Sequence, residues 1–220
     1  MDKTEWPYRS AMPIAAPGLK FIFTAVVITV VLFLAGWTIL GCPALFITLF
    51  IIWFFRDPER DIPNDTNCLV SPADGKIILI KEMPTNEFTK QACIKVSIFM
   101  NVFNIHVNRI PFKGTVEDVI YIAGKFINAS FDKASEHNER NALIIKTDSG
   151  EMYAVVQIAG LIARRIISKV NKKDTVERGN RYGMICFGSR LDLYLPLSSK
   201  IAVANGQKVQ AGSTIIAYLQ

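Results

Sequence analysis

The sequence predicts a mainly β domain, sandwich- or barrel-like with few helices, preceded by an N-terminal transmembrane helical hairpin. Three observations predict this. No charged residue falls between Phe21 and Phe55, a run of 35 residues. Beyond it, short segments rich in valine and isoleucine alternate with glycine and polar turns. Near the C-terminus, turns at Asn205-Gly206 and Ala211-Gly212 set off brief apolar stretches, a pattern of small sandwiches and barrels.

The apolar run would be about 52 Å long as one helix. A bilayer core is about 30 Å thick and one span needs about 20 residues. The run is therefore long for one straight span and slightly short for two. Gly41-Cys42-Pro43 supplies a break, because glycine permits a tight turn and proline interrupts a helix. The reading is a span from Phe21 to about Leu40 and a return from Ala44 to Phe55. Lys3, Arg9 and Lys20 precede the run, and Arg56 and Arg60 follow it. The positive-inside tendency then places both ends, and the domain that follows, on the cytoplasmic side of the cell membrane. Asp2 and Glu5 in the leader, and the length of the run, argue against a cleaved signal peptide. The organisation is thus 1–20 cytoplasmic, 21–55 membrane hairpin, 56–63 juxtamembrane linker with Pro58 and Pro63, and 64–220 the mainly β domain.

Within that domain Ala92 to Ile98 and Gly114 to Ile122 read as strands. Leu143 to Thr147 and Met152 to Ile158 flank a hairpin turn at Asp148-Ser149-Gly150. Leu191, Leu193 and Leu195 alternate with Asp192 and Tyr194, the period of a half-buried strand. Ser130 to Asn141 leans helical, with Ser130 as N-cap.

The net charge of +6 favours anionic partners, and beside so long an apolar run that means lipid rather than nucleic acid. Cys42, Cys68, Cys93 and Cys186 form no C-x-x-C pair and have no histidine at ligand spacing, so no metal site is expected. Four groupings carry chemistry. Ser71-Pro72-Ala73-Asp74-Gly75 is a turn containing a carboxylate. His106 stands between apolar Ile105 and Val107, so on a strand it would share a face with Asn104 and Asn108. Gln157 to Arg165 ends in Arg164 and Arg165, which with Lys169, Lys172 and Lys173 make the densest basic patch. Phe187-Gly188-Ser189-Arg190 contains a Gly-Ser pair, and Gly212-Ser213 is a second. The other histidine, His137, lies in a polar run and reads as solvent-exposed.

Taken in order, these segments make the chain resemble the phosphatidylserine decarboxylase family, in its short bacterial-type form. The resemblance runs from Phe54-Phe55-Arg56-Asp57-Pro58 through Ser71 to Gly75 and the His106 segment. It continues through Gly124-Lys125-Phe126, Asn138-Glu139-Arg140-Asn141 and Gln157 to Arg165, and ends at Phe187 to Arg190. It implies a proenzyme that cuts itself at a Gly-Ser bond near the C-terminus. In the family that pair precedes a strand ending at a proline, which fits Gly188-Ser189 followed by Leu191 to Pro196 and not Gly212-Ser213. The resemblance implies that Ser189 becomes a pyruvoyl cofactor, without metal or pyridoxal phosphate. It implies that His106 is the base and Asp74 its partner, and that the products are a large subunit, 1–188, and a small one, 189–220. The pyruvoyl ketone would form a Schiff base with phosphatidylserine and release phosphatidylethanolamine and carbon dioxide. Arg140, Arg164 and Arg165 are candidates for the lipid phosphate. Longer relatives carry a second histidine where this chain has Arg109, which leaves open whether His106 serves both cleavage and decarboxylation.

Other readings of the same residues are a membrane-tethered serine hydrolase using Ser189, His106 and Asp74 without self-cleavage, and a non-enzymatic lipoyl-like module. A third keeps the chemistry but changes the lipid tails, as in an archaetidylserine decarboxylase. The sequence is compatible with a homo-oligomer.

Overall fold

The computed structural model describes residues 13–128, 137–161, 165–186 and 189–220. The chain forms two compact units, Met1–Glu59 and Arg60–Gln220.

In the first unit a 3-10 turn at Ala16–Gly18 leads into α1, Leu19–Leu34, and α2 spans Thr38–Phe54. The turn between them lies at residues 35–37, not at Gly41-Cys42-Pro43, and Pro43 sits inside α2. Gly36 takes a φ of +77°. The N–H groups of Gly36 and Trp37 donate to the carbonyls of Phe33 and Leu32 at 3.0 and 2.9 Å. These two bonds make a Schellman cap, which reverses the chain while pairing carbonyls that apolar surroundings would leave unsatisfied. Backbone satisfaction therefore chooses the turn, and proline is accommodated within an apolar helix. Thr48 Oγ1 donates to the Ala44 carbonyl at 2.9 Å and lies 2.9 Å from Thr29 Oγ1. A hydroxyl has one proton, so Thr29 donates to Thr48 and ties α1 to α2. Ala15 N–H donates to the Phe55 carbonyl at 2.8 Å and Asp57 N–H to that of Pro13 at 2.7 Å. Ala16–Leu34 is long and apolar enough to cross a bilayer, at 19 residues and mean hydropathy 2.2, while α2 is apolar but shorter.

The second unit is built of strands. In order they are β1 Cys68–Val70, β2 Gly75–Met83, β3 Cys93–Met100, β4 Val107–Arg109, β5 Gly114–Ile122, β6 Arg140–Lys146 and β7 Met152–Ala159. They continue as β8 Ile166–Ser168, β9 Thr175–Val176, β10 Arg181–Ile185, β11 Ser189–Pro196, β12 Lys200–Ile201, β13 Lys208–Val209 and β14 Ile215–Tyr218. An eight-stranded sheet runs β13-β2-β3-β11-β7-β6-β5-β9. Two three-stranded sheets run β1-β14-β12 and β4-β10-β8. The fold is mainly β, as the sequence predicts.

One core joins all three sheets: Val96, Ile98, Leu143, Val155, Leu191 and Leu193 from the large sheet pack with Leu69, Ile216, Tyr182 and Ile185 from the small ones. The other face of the large sheet holds a second cluster of Phe88, Cys93, Ala142, Ile144, Ala154, Val156, Ile158 and Tyr194. β11 is therefore not half-buried: Ser189 through Leu195 are all buried, polar positions included. Of the helical stretch expected from Ser130 to Asn141, His137 is helical and the end is corrected. Residues 129–136 lie outside the described residues, and Arg140 and Asn141 begin β6, paired with Ile158 and Gln157 of β7. Long-range pairing outweighs local helix propensity there.

Gly75 opens β2 where a side chain has no room. A Cβ would lie 2.3 Å from the Phe99 carbonyl oxygen and 2.9 Å from Ile98 Cγ2. Gly75→Ala should therefore force β2 away from β3 and lower the thermal midpoint by about 5 °C or more. Thermal denaturation of the purified full-length variant checks this, and an unchanged midpoint would contradict it.

Candidate active site

The cross-strand register places the chemistry-bearing segments at one end of the large sheet. A single row of paired residues crosses six strands: Lys76 with Phe99, Phe99 with Arg190, Arg190 with Ile158, Ile158 with Arg140, and Arg140 with Ile122. The residues one step beyond this row are Gly75, Met100, Ser189, Ala159, Glu139 and Ala123. Each belongs to, or directly adjoins, a segment that carries the family resemblance. Segments far apart in sequence share one rim because six antiparallel strands start or finish there.

Ser189 is the first residue of β11. It pairs with Met100 on one side and Ala159 on the other, so its side chain points to the main core face with theirs. It is fully buried, and no hydrogen-bond partner for Oγ is found among the described residues. Gly188 lies outside the described residues. The chain reaches Ser189 from Ile185, the last residue of β10 in a different sheet. Between Ile185 and Ser189 the chain thus passes from one sheet to another.

His106 sits opposite that crossover. Ile185 N–H donates to the His106 carbonyl at 3.3 Å, while Met100 pairs with Ser189. Residues 100–106 and 185–189 are therefore tethered at both ends. The sequence suggested one strand through this histidine, but the chain turns first. Asn101 Oδ1 accepts from Phe103 N–H and Asn104 Oδ1 from Asn101 N–H, both at 2.9 Å, and β4 begins only at Val107. His106 is fully buried, and its Nδ1 lies 2.9 Å from the Asn104 carbonyl. A carbonyl only accepts, so Nδ1 carries the proton and Nε2 is the basic nitrogen of the neutral ring.

Asp74 lies in the turn that opens β2, at the same rim. Its Oδ1 accepts from Ala211 N–H at 2.8 Å, and Arg60 Nη2 is 2.9 Å from Oδ2 and 3.1 Å from Oδ1. The turn is anchored by Arg109 N–H, which donates to the Pro72 carbonyl at 2.9 Å. Arg109 itself is buried and donates through Nη1 to the Gly179 carbonyl at 2.9 Å. Gly212-Ser213 occupies the neighbouring turn, where Gly212 N–H donates to the Ser71 carbonyl at 2.8 Å.

A chain of buried amides leads to the serine from the other direction. Asn141 Nδ2 donates to Gln157 Oε1 at 3.3 Å, and Gln157 Nε2 to Asn108 Oδ1 at 2.9 Å. Asn108 Nδ2 lies 3.8 Å from the sulfur of Met100, the cross-strand neighbour of Ser189. The sequence reading quoted these residues without giving them a role. The available signal was a glutamine inside the otherwise apolar run Val155-Val156-Gln157-Ile158.

The three candidate arginines separate. Arg140 pairs with Ile158, which pairs with Arg190, so it lies on the sheet face opposite Ser189, with its Nη2 3.2 Å from Glu87 Oε2. Arg165 is exposed at the rim, and its carbonyl accepts from Cys186 N–H at 3.2 Å. Arg164 lies outside the described residues. Burial pushes the Cys186 thiol up to about 11 despite the opposing charge of Arg165, so at neutral pH it is an inert neutral thiol. His137 is exposed, as expected.

No local pattern announces the charges under β11. Arg190 is fully buried, with Nε 2.7 Å from Asp192 Oδ1 and Nη2 2.7 Å from Ser97 Oγ. Lys95 Nζ is 3.0 Å from Asp192 Oδ2. Burial alone would raise the Asp192 pKa, but Arg190 and Lys95 outweigh it and hold the carboxyl below its usual range.

The family model for phosphatidylserine decarboxylase matches residues 47–217. A phosphatidylserine decarboxylase proenzyme of Syntrophus aciditrophicus is 50% identical over 203 residues, covering 91% of this chain and 95% of that protein. The proenzyme of Desulfotalea psychrophila is 46% identical over 205 residues, covering 93% and 96%. That of Geotalea uraniireducens is 46% identical over 207 residues, covering 94% and 97%. The chain belongs to the phosphatidylserine decarboxylase family.

Asp192→Asn removes the counter-charge from two buried cations. It should cost about 3–5 kcal/mol, roughly 10 °C in thermal midpoint. The pH dependence has a definite sign. The folded pKa is depressed, so the stability Asp192 contributes is complete above the unfolded value of about 3.9 and is lost as pH falls through the lower, folded one. Midpoints measured from neutral to acid pH should converge between wild type and variant, and a constant gap would contradict this assignment.

Proposed function

We propose that the chain is a self-processing decarboxylase that converts phosphatidylserine to phosphatidylethanolamine and carbon dioxide. The observation that carries this is the meeting of Ser189 and the His106 segment where the backbone crosses between sheets, at the rim that gathers the other family segments. Ser189 Oγ, buried with no described partner, is a hydroxyl that no hydrogen bond holds back from its own upstream carbonyl.

In this reading His106 Nε2 takes the hydroxyl proton, and Ser189 Oγ attacks the Gly188 carbonyl carbon. The Gly188–Ser189 C–N bond breaks, and the nitrogen leaves as a protonated amine, so an ester replaces the amide. Removal of the Ser189 Cα proton then breaks its Cβ–O bond. Residues 1–188 leave with a carboxylate at Gly188. The dehydrated residue tautomerises, and water releases its nitrogen as ammonia, giving the pyruvoyl group. Asp74, its carboxylate fixed by Arg60 and the Ala211 N–H, is the proposed acidic partner that favours the charged form of His106 once it has taken the proton. The site suits such a group: its position is fully buried, which excludes bulk water, and both flanking strands fix the backbone.

When formed, the pyruvoyl group supplies a ketone that takes the lipid amine and accepts the electrons released as carbon dioxide leaves. His106 is the proposed acid that returns a proton to the substrate carbon. Arg165, exposed at the rim, is the better placed of the described candidates for the lipid phosphate, with Arg164 its neighbour in sequence and Arg140 on the far face. The small subunit, 189–220, stays with the large one, because β11 lies between β3 and β7 and its pairs from Arg190 onward are untouched by the cut. In this reading the apolar N-terminal segment anchors the chain in the cell membrane, and the positive-inside tendency favours a catalytic domain on its cytoplasmic side.

Ser189→Ala should remain one full-length band on a denaturing gel and release no carbon dioxide from phosphatidylserine. Ser213→Ala should be cut like wild type. His106→Ala should slow cutting by about a hundredfold or more. A Ser189→Ala protein that still decarboxylates would overturn the proposal.

A further inference from the structure

Among the described residues of the second unit, six large apolar side chains are more than a third exposed: Ile62, Phe103, Tyr121, Phe126, Leu161 and Leu197. Four of them gather at the catalytic rim. Phe103, 64% exposed, lies three residues beyond Met100 at the end of β3. Leu161, also 64% exposed, lies two residues beyond Ala159 at the end of β7. Tyr121, 60% exposed, is next to last in β5. Phe126, 38% exposed, follows Lys125, whose backbone is bonded to His137 and Glu139 just ahead of β6. Leu197 stands at the opposite end of β11.

Strands β3, β7 and β5 all end at this rim, so Phe103, Leu161 and Phe126 stand on neighbouring loops and Tyr121 at the end of its strand. From β5 to β3 the row crosses four strand spacings, about 19 Å. Exposed cations Lys125 and Arg165 lie among them. Isolated exposed apolar residues are ordinary, but a cluster at one edge, on loops and mixed with cations, has the composition of a bilayer-interface surface. Aromatic rings settle at headgroup depth, and lysine and arginine meet anionic phosphates there. The chain also carries a helix, Ala16–Leu34, able to cross a bilayer.

We infer that Phe103, Leu161, Tyr121 and Phe126, with Lys125 and Arg165, form a surface that dips into an anionic leaflet, so that a lipid headgroup reaches Ser189 without leaving the membrane. This rests on the reaction proposed above and names the surface that serves the same site. Phe103 and Leu161 insert on either side of Ser189, and the cations hold the surrounding headgroups.

The test uses the full-length chain in phosphatidylserine-containing vesicles doped with a phospholipid bearing a photoreactive group on its tail. After illumination, peptides carrying Phe103 and Leu161 should be labelled, and the peptide carrying Leu197 should not. The F103D/L161D variant should lose that label. It should also turn over vesicle phosphatidylserine about tenfold less efficiently while keeping its rate on monomeric short-chain phosphatidylserine. Its self-cleavage reports that it folds. Label confined to the first unit, or an equal loss on both substrates, would overturn the inference. So would an unlabelled rim together with a change of oligomeric state in the variant, which would assign this surface to a second copy of the chain. A labelled rim in a wild-type chain that turns over neither substrate would sink the reaction and leave the docking surface standing.

Discussion

β11 pairs with β3 over eight residues and with β7 over six, and both ladders begin at the same residue, Ser189. The rest of the site depends on that coincidence. A serine inside a ladder would be too constrained to bend toward its own upstream carbonyl, and one in a loop would be poorly aimed. Here the residue is fixed from both sides and opens β11, which the chain reaches from β10 in a small sheet. Fixing one reacting atom in this way removes much of the entropic barrier to an intramolecular attack. The same central position keeps the fragment beginning at Ser189 within the sheet on both sides.

Holding a strand there has an electrostatic cost. One face of β11 supplies leucines to the main core, while the other presents Arg190 and Asp192 to a region closed over by apolar residues. Three charges, those of Arg190, Asp192 and Lys95, are nearly or wholly withdrawn from water. Such a cluster is tolerable only when every member is matched, and Ser97 contributes a hydroxyl to it. The cluster sits directly behind the serine, so it also fixes the start of β11 against movement along the strand. The amide chain Asn141, Gln157 and Asn108 does the corresponding work on the catalytic face.

Much of the β architecture could be read from the residues, because alternation and turn chemistry are local. Gly114 to Ile122 is a strand at the expected bounds, and Asp148-Ser149-Gly150 joins β6 to β7. Readings failed where a distant partner decides the outcome. Asp192 and Tyr194 looked solvent-facing because nothing nearby in sequence announces Lys95 or Phe88, which cover them. Arg140 and Asn141 looked helical until pairing with β7 claimed them. The helix break was placed at the proline, whereas carbonyl pairing in apolar surroundings selects Gly36. At the site, residue types drew attention to Ser189, His106 and Asp74. Their assembly at one rim is a property of sheet register that no local pattern contains. The Asn104 carbonyl that sets the histidine tautomer, and the Arg60 contact to Asp74, needed the fold.

A buried serine at the head of a doubly paired strand, a histidine whose Nε2 is the basic nitrogen, and a rim fringed with apolar side chains are the parts of the proposed site, which would remake its own backbone before acting on a lipid. Intact-mass analysis of the purified protein tests that claim most directly. The account predicts two polypeptides that separate only under denaturing conditions, one ending at Gly188. The other begins at position 189 and is lighter by one ammonia than a fragment starting with serine. A single unmodified chain in a preparation that turns over phosphatidylserine at full rate would contradict it.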